Sequence, residues 1–393
     1  MAENLAVKKM IKDTFMEIAD SIESGDFGRK IRVGLTILGS EHGTENLIKG
    51  AVLAASRLRD TEIVLIGPEN DSNLETVVVK EERDMHSKME EILDNGFIDA
   101  CVTMHYNFPI GVSTVGMVLT PATGKEMIIA TTTGTSSMNR TEAMLRNALH
   151  GIITAKALGI EEPTVGILNL DGARQVERLL KELKGNGYEI FFGESSRADG
   201  GVVMRGNDLL QGSVDVMVTD TLTGNILMKM FSSYTTGGSY EASGYGYGPG
   251  VGKDYGRIIL ILSRASGIPV VANAIEYASS LARGELGGIA RVEFDKAEKA
   301  GLKSLTVNTV KDKNEDSEET VKVPTKEIVT GTLSGIDIME LEDAVQALWK
   351  AGIYAESGMG CTGPVVMVSE AKAQKAMDVL IKKGFMAKES APC

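Results

Sequence analysis

One cysteine stands among residues that could make it a nucleophile. It lies in Ser357-Gly358-Met359-Gly360-Cys361-Thr362-Gly363-Pro364. Gly360 and Gly363 let the backbone come close to a ligand and turn its amides inward, with Thr362 adding a hydroxyl, which together would form an anion-binding concavity. Amide dipoles at such a place lower a thiol's pKa, and the thiolate is the reactive form. An unperturbed thiol, with a pKa of about 8.5, is only a few per cent ionised at neutral pH, so the setting matters. Cys361 reads equally as a small apolar residue filling a corner beside a tight turn. Spacing alone leaves both readings open.

Four other segments carry candidate chemistry. Gly39-Ser40-Glu41-His42-Gly43 follows an apolar run and opens a helix, a place where backbone N–H groups bind phosphate and His42 could donate to it or relay a proton. It lacks Gly-x-Gly-x-x-Gly, so it is not a dinucleotide fingerprint. Thr131 to Arg140 is a hydroxyl-rich strand end leading into a helix; the Arg140 guanidinium suits an oxyanion, and Ser137 or Asn139 suits plain helix capping. Asn169, Asp171 and Gly172 close a further strand. Asp220 to Lys229 does the same, with Asn225 and Lys229 four apart on one helix face, where the lysine could hold an acyl or phosphoryl oxygen. Cys101, inside an apolar strand, reads as a core thiol, and Cys393 as part of a terminal tail.

These segments need elements to position them. From Ile31 onward, short apolar strands alternate with amphipathic helices, which predicts a three-layer α/β/α, Rossmann-like domain with a parallel sheet. Ligands in such sheets sit beyond the strands' carboxyl ends, so the candidates are expected to share one rim. The spacing predicts strands at 31–38, 62–66, 99–104, 126–132, 164–170, 189–192 and 214–218, and helices at 44–58, 86–94, 140–158, 176–183 and from Gly224. Residues 237–252, GGSYEASGYGYGPGVG, read as irregular, and 258–266 and 272–282 as helical. An amphipathic helix leads the chain within residues 1–30. A charged connection at 311–319 separates the main domain, 31–330, from residues 331–393, read as a helix–loop–strand–helix unit presenting Cys361.

The 393 residues include three cysteines and four scattered histidines, with a net charge of −13. That balance argues against nucleic acid and anionic membranes as partners. The cysteine and histidine spacing predicts neither a disulfide framework nor a metal site. Without a signal peptide or a long apolar run, the chain reads as cytoplasmic.

Two resemblances follow. Val165-Gly166-Ile167-Leu168-Asn169, Gly206-Asn207-Asp208 and Val214 to Asp220 with Thr223-Gly224-Asn225 resemble the PlsX-type phosphate acyltransferases of phospholipid synthesis, and Gly39–Gly43 resembles that family's glycine–acid–histidine turn. The fold implied is the PlsX/phosphotransacetylase/isopropylmalate dehydrogenase-like kind. The cysteine unit has no place there. Over its full length, and most specifically in SGMGCTGP, the chain is similar to alpha subunits of protein C of glycine/sarcosine/betaine reductase complexes. That resemblance implies acyl transfer to phosphate: a carboxymethyl group on the selenocysteine of selenoprotein A becomes an acetyl thioester on Cys361, and phosphate releases acetyl phosphate. It implies a beta subunit as partner, inorganic phosphate as substrate and no cofactor. Cys101 and His42 stand as accessory candidates, and Arg140, Asn169, Asp220, Asn225, Lys229, Gly360, Thr362 and Gly363 as phosphate or acyl contacts. A lipid-type acyltransferase, a non-catalytic scaffold subunit and, disfavoured by the missing dinucleotide fingerprint, an NAD-dependent oxidoreductase remain the alternatives.

Overall fold

Short runs rich in Val, Ile and Leu pair into one large sheet. Its strands are β1 (Ile31–Thr36), β2 (Thr61–Gly67), β3 (Glu75–Val78), β4 (Ala100–Thr103), β5 (Val112–Leu119), β6 (Glu126–Thr135), β7 (Thr164–Leu168), β8 (Phe191–Phe192), β9 (Val203–Met204), β10 (Val216–Val218), β11 (Gly248–Val251) and β12 (Ile259–Ile261). The spatial order is β3-β2-β1-β4-β12-β11-β5-β6-β10-β7-β8, with β9 also on β7. The computed structural model describes Phe15, Met16, Ala19 and residues 29–197, 200–305, 323–337, 340–360 and 363–386. The rest of the expected leading helix, and the charged connection at 311–319, lie outside the described residues.

Helices cover both faces, giving the expected three-layer α/β/α fold. On one side α1 (Gly43–Arg57), α3 (Arg140–Ala157), α4 (Ala173–Gly185), α7 (Ile268–Arg283) and α8 (Leu286–Lys299) pack on the sheet. Leu47, Ile152 and Ile275 meet Val33, Leu35, Met117 and Ile128 in that core. On the other side lie α2 (Glu82–Asp94), the short α5 (Gly206–Gln211) and α6 (Thr221–Ser233), where Met89 packs with Val64 and Ile66, and Met228 with Val118 and Ile129. Alternate strand residues thus serve opposite layers. Each fully buried large apolar side chain contributes about 1.5–3 kcal/mol.

The sheet is not all parallel, and this corrects the sequence expectation. β1, β2, β3, β4 and β12 run one way. β11 is antiparallel to both β12 and β5, and β5 is antiparallel to β6. β10 and β7 follow β6. Three antiparallel pairings in sequence leave β6, β10 and β7 opposed to β1, β4 and β12. Their carboxyl ends therefore lie at opposite edges of the sheet.

Two further expectations fail around β11. Residues 248–251 were expected to be irregular, yet they sit mid-sheet. Glycine is required there by contact: a Cβ on Gly248, at φ +81°, would lie 1.7 Å from the Val115 carbonyl oxygen, and one on Gly250 would lie 2.2 Å from the Phe108 ring. Tertiary packing overrides glycine's poor strand propensity. Likewise, residues 259–261 form β12 rather than the expected helix, because parallel pairing to β4 captures the apolar run Ile-Leu-Ile.

The C-terminal residues build a second, smaller core. A three-stranded antiparallel sheet, β13 (Gly331–Ser334), β15 (Gly363–Val368) and β14 (Ala355–Gly360), packs with α9 (Leu341–Lys350) and α10 (Ala373–Lys382) through Leu333, Leu348, Val366, Val368 and Leu380. The glycine-bearing stretch before Cys361, expected as loop, is strand β14, recruited by β15's valines with Gly358 opposite Val365. Arg178 of α4 donates to both carboxylate oxygens of Glu340, at 2.7 and 2.6 Å, and to the Phe385 carbonyl at 3.4 Å, joining this unit to the main domain.

Candidate active site

The turn after β1 and the loop after β12 are fastened together. Gly39 and Gly43 take positive φ, of +92° and +79°, so the chain can reverse sharply into α1. Glu41 N–H donates to the Arg264 carbonyl at 2.9 Å, and Ser40 Oγ donates to the same carbonyl at 3.4 Å. Asn46 Nδ2 reaches the Ser266 carbonyl at 3.0 Å. His42 occupies the N-cap of α1 but makes no side-chain cap, and the Gly43 N–H donates to the Ser40 carbonyl at 3.2 Å. Its exposed ring meets the Tyr240 ring edge to face at 6.1 Å. The exposed Arg264 side chain pairs with no carboxylate among the described residues.

Helix α6 reaches this same edge. Gly224 lies so close to β6 that a Cβ there would fall 1.7 Å from the Thr131 carbonyl oxygen. The next residue, Asn225, donates through Nδ2 to the Thr132 carbonyl at 3.2 Å. Lys229 Nζ then donates to Glu241 Oε1 at 2.6 Å and Ser263 Oγ at 2.5 Å. The Glu241 side chain is 2% exposed, and its second oxygen accepts from Ser266 Oγ at 3.2 Å. Lys229 thus ties α6 to the loop that carries Arg264, and its charge is matched by a buried carboxylate. Beside this pair, burial first and the Glu241 charge second push the Tyr247 phenol well above its usual pKa.

The other candidates gather at the far edge, where β6, β10 and β7 end. Asp220 caps α6, accepting from Thr223 N at 2.9 Å. Arg140 Nη2 donates to Asp220 at 2.7 Å, with Asp171 at 3.5 Å from Nη1. Burial alone would raise the Asp220 carboxyl, but hydrogen bonds from Thr223 and Arg140 outweigh it and hold the group below its ordinary range. Asn139, not Ser137, caps α3, accepting from Glu142 N at 3.0 Å. The hydroxyls of this strand end are used internally: Thr132 donates to the Tyr247 carbonyl at 2.7 Å and Ser136 to Asn147 Oδ1 at 2.7 Å. Asn169 is exposed nearby, its backbone N–H on the Met204 carbonyl at 2.8 Å.

So the structure brings His42 and Lys229 together through residues 263–266, and Arg140, Asp171 and Asp220 together elsewhere. Nine residues of helix, about 14 Å, separate Asp220 from Lys229. The single rim expected from a parallel sheet does not exist. Cys101 is fully buried among Val64, Ile66 and Ile98, and burial pushes its thiol far above its usual pKa, so it stays neutral. Cys361 and Thr362 lie outside the described residues, and Gly360 and Gly363 are paired across the two strands that flank them. Sequence reading missed Arg264, Ser263 and Glu241. For Ser263 and Arg264 the available signal was their position beyond an apolar strand, hidden by reading 258–266 as a helix; Glu241 falls in 237–252, read as irregular. No group of acids, histidines and cysteines among the described residues could hold a metal ion, and no described helix is long and apolar enough to cross a membrane.

Residues 31–367 match the family described as fatty acid synthesis protein, and the chain belongs to that family. It is 66% identical over 382 residues to the glycine/sarcosine/betaine reductase complex component C subunit alpha of Peptoclostridium acidaminophilum, covering 97% of this chain and 99% of that one. A phosphate acyltransferase of Thermotoga petrophila is 29% identical over 239 residues, covering 51% of this chain and 67% of that one. Among solved structures, a branched-chain phosphotransacylase from Enterococcus faecalis V583 aligns at a TM-score of 0.44 and 18% identity, over 64% of this chain and 99% of that one. Both resemblances read from the sequence are borne out by these relatives.

Proposed function

We propose that this chain transfers an acetyl group from a thioester on Cys361 to inorganic phosphate. The observation that carries this is the near full-length, 66% identity to a component C alpha subunit. The phosphate acyltransferase relative supports the acyl-to-phosphate class. In the proposed step a phosphate oxygen attacks the thioester carbonyl. The carbon–sulfur bond breaks, its electron pair returns to sulfur, and acetyl phosphate leaves. The exchange is redox-neutral and uses phosphate as substrate rather than a cofactor. The acetyl group would arise from a carboxymethyl group on the selenocysteine of selenoprotein A. There the carbon–selenium bond breaks, and the methylene carbon gains two electrons and a proton to become methyl. The selenium supplies those electrons and is left oxidised as a selenenyl sulfide with a thiol. The carboxylate loses one oxygen as water as Cys361 sulfur bonds to its carbon. A beta subunit would complete the component.

Phosphate is assigned to the edge holding His42, Arg264 and the amino end of α1. What supports this is charge: Arg140 and Lys229 are each already matched by carboxylates, whereas Arg264 is matched by none among the described residues. A guanidinium holds a phosphate dianion in bidentate fashion. His42 stands beside it as a proton donor or acceptor. Arg140, Asn169, Asp220 and Asn225 become positioning residues of α3, β7 and α6 in this reading, and Lys229 the tie that places the Arg264 loop.

The test is intact-protein mass after incubation with acetyl phosphate, for the unaltered chain and for Cys361→Ala. An acetyl adduct mapped to Cys361 and removed by phosphate or arsenate is the expected result. No adduct, or an equal adduct in the variant, sinks the role of Cys361. Phosphate acyltransfer that survives Cys361→Ala would move the chain to the lipid-type reading.

A further inference from the structure

A cleft of about 290 Å³ opens on the face of the sheet that carries α3 and α7, beside the amino end of β6 and across the sheet from α6. Its lining is chemically one-sided. Three carboxylates, Glu126, Asp215 and Glu276, border it, and among the described residues no lysine, arginine or histidine lines it, Arg57 acting on Tyr245 from outside the lining. Two tyrosine rings, Tyr245 and Tyr277, meet edge to face there at 6.2 Å, and Ile128 adds apolar surface.

The carboxylates differ in what they already hold. Glu126 accepts from the Tyr245 hydroxyl. Asp215 accepts from Thr164 N at 2.9 Å and Thr164 Oγ1 at 2.6 Å, with Lys125 at 3.2 Å. Glu276 has no hydrogen-bond or ion-pair partner for its carboxylate among the described residues, though it is half-buried. An unmatched carboxylate in a partly enclosed, acidic cleft attracts positive charge more strongly than one in bulk water.

The cation that fits is not a metal. The three acids do not form a group able to hold a metal ion, so they surround the space rather than converge on a point. The cleft lies near the lower limit of small-molecule sites, which begin at about 300 Å³. Aromatic faces stabilise ammonium groups, most of all when water is excluded. We propose that this cleft binds a small organic cation, a substituted ammonium carried on an apolar body, with Glu276 as counter-ion and Tyr245 and Tyr277 as its aromatic wall.

Calorimetric titration of the full chain with benzyltrimethylammonium tests this, with phenylacetate as the anionic control. The expected result is saturable one-site binding of the cation and none of the anion. Glu276→Gln, which removes charge without breaking a hydrogen bond, is expected to weaken binding about tenfold, as is Tyr245→Leu. Tyr245→Phe keeps the ring and is expected to retain binding. Absence of saturable binding up to roughly 10 mM, or undiminished binding by Glu276→Gln, overturns the assignment. Neither result depends on acetyl transfer at Cys361.

Discussion

Lys229 and Glu241 are joined at 2.6 Å, with Glu241 almost wholly removed from water while Lys229 remains 49% exposed. The pair pins the middle of α6 to the loop after β12, so its integrity governs where Arg264 sits. Lys229→Met would leave a buried carboxylate without its counter-charge. The expected loss is about 3 kcal/mol, toward the lower end for such pairs because water replaces part of the lysine. Urea unfolding would measure it. Adding Glu241→Gln to Lys229→Met is expected to recover most of the loss, since the stranded charge is then gone.

Arg264 is expected to act on phosphate alone. Arg264→Ala should raise KM for phosphate about tenfold or more, the worth of a charge-assisted hydrogen bond, with melting temperature unchanged because the side chain pairs with no carboxylate among the described residues. Steady-state kinetics over a phosphate series would show it. An unchanged KM would move the anion site away from His42 and α1.

Gly224→Ala should destabilise α6 where it crosses β6. The new methyl would overlap the Thr131 carbonyl, 1.7 Å away, and backbone cannot yield as a side chain does. Overpacking of this kind costs about 1–3 kcal/mol or more. Gly206→Ala, with nothing within 4 Å, is the matched control and should be near neutral. Thermal melts of the two variants make the comparison.

His150 sets a pH dependence. It is fully buried, accepts or donates at Nδ1 with Ser113 Oγ at 2.8 Å, and its pKa is depressed to about 3, by burial first and by the Arg146 charge second. Unfolded, the same imidazole titrates near 6.5. The unfolded chain therefore binds a proton that the folded chain refuses. The stabilisation is full above pH 6.5 and drains away as pH falls toward 3, at up to about 1.4 kcal/mol per pH unit. Denaturant melts between pH 7 and pH 5, above the range of ordinary carboxylates, should show this slope, and His150→Gln should flatten it.

Removing Arg178 should loosen the C-terminal unit without unfolding the main sheet. Arg178 Nη2 donates to both carboxylate oxygens of Glu340, and hydrogen bonds to charged groups contribute about 1.5–3 kcal/mol. In Arg178→Ala, hydrogen exchange should rise across 340–386 while β1 to β12 keep their protection. Equal exchange in both chains would show that other contacts carry the docking.

What the sequence determined alone was local. Helices at 43–57 and 140–157 and strands such as 31–36 and 126–135 were legible because a repeating apolar pattern needs only near neighbours to declare itself. The layered α/β class followed from their alternation, and SGMGCTGP with the Val165–Asn225 segments sufficed for the family. Tertiary structure decided the rest. No local pattern says that β11 and β5 run against their neighbours, because strand direction is set by which distant strand supplies the hydrogen bonds. That reversal sent Arg140 and Asp220 to one edge and His42 and Lys229 to the other. Gly248 entered a strand because Val115 leaves no room for a Cβ. Lys229 found Ser263, thirty-four residues on, because α6 and the loop after β12 fold onto the same edge. Each is a contact between residues that meet only when the whole sheet has closed.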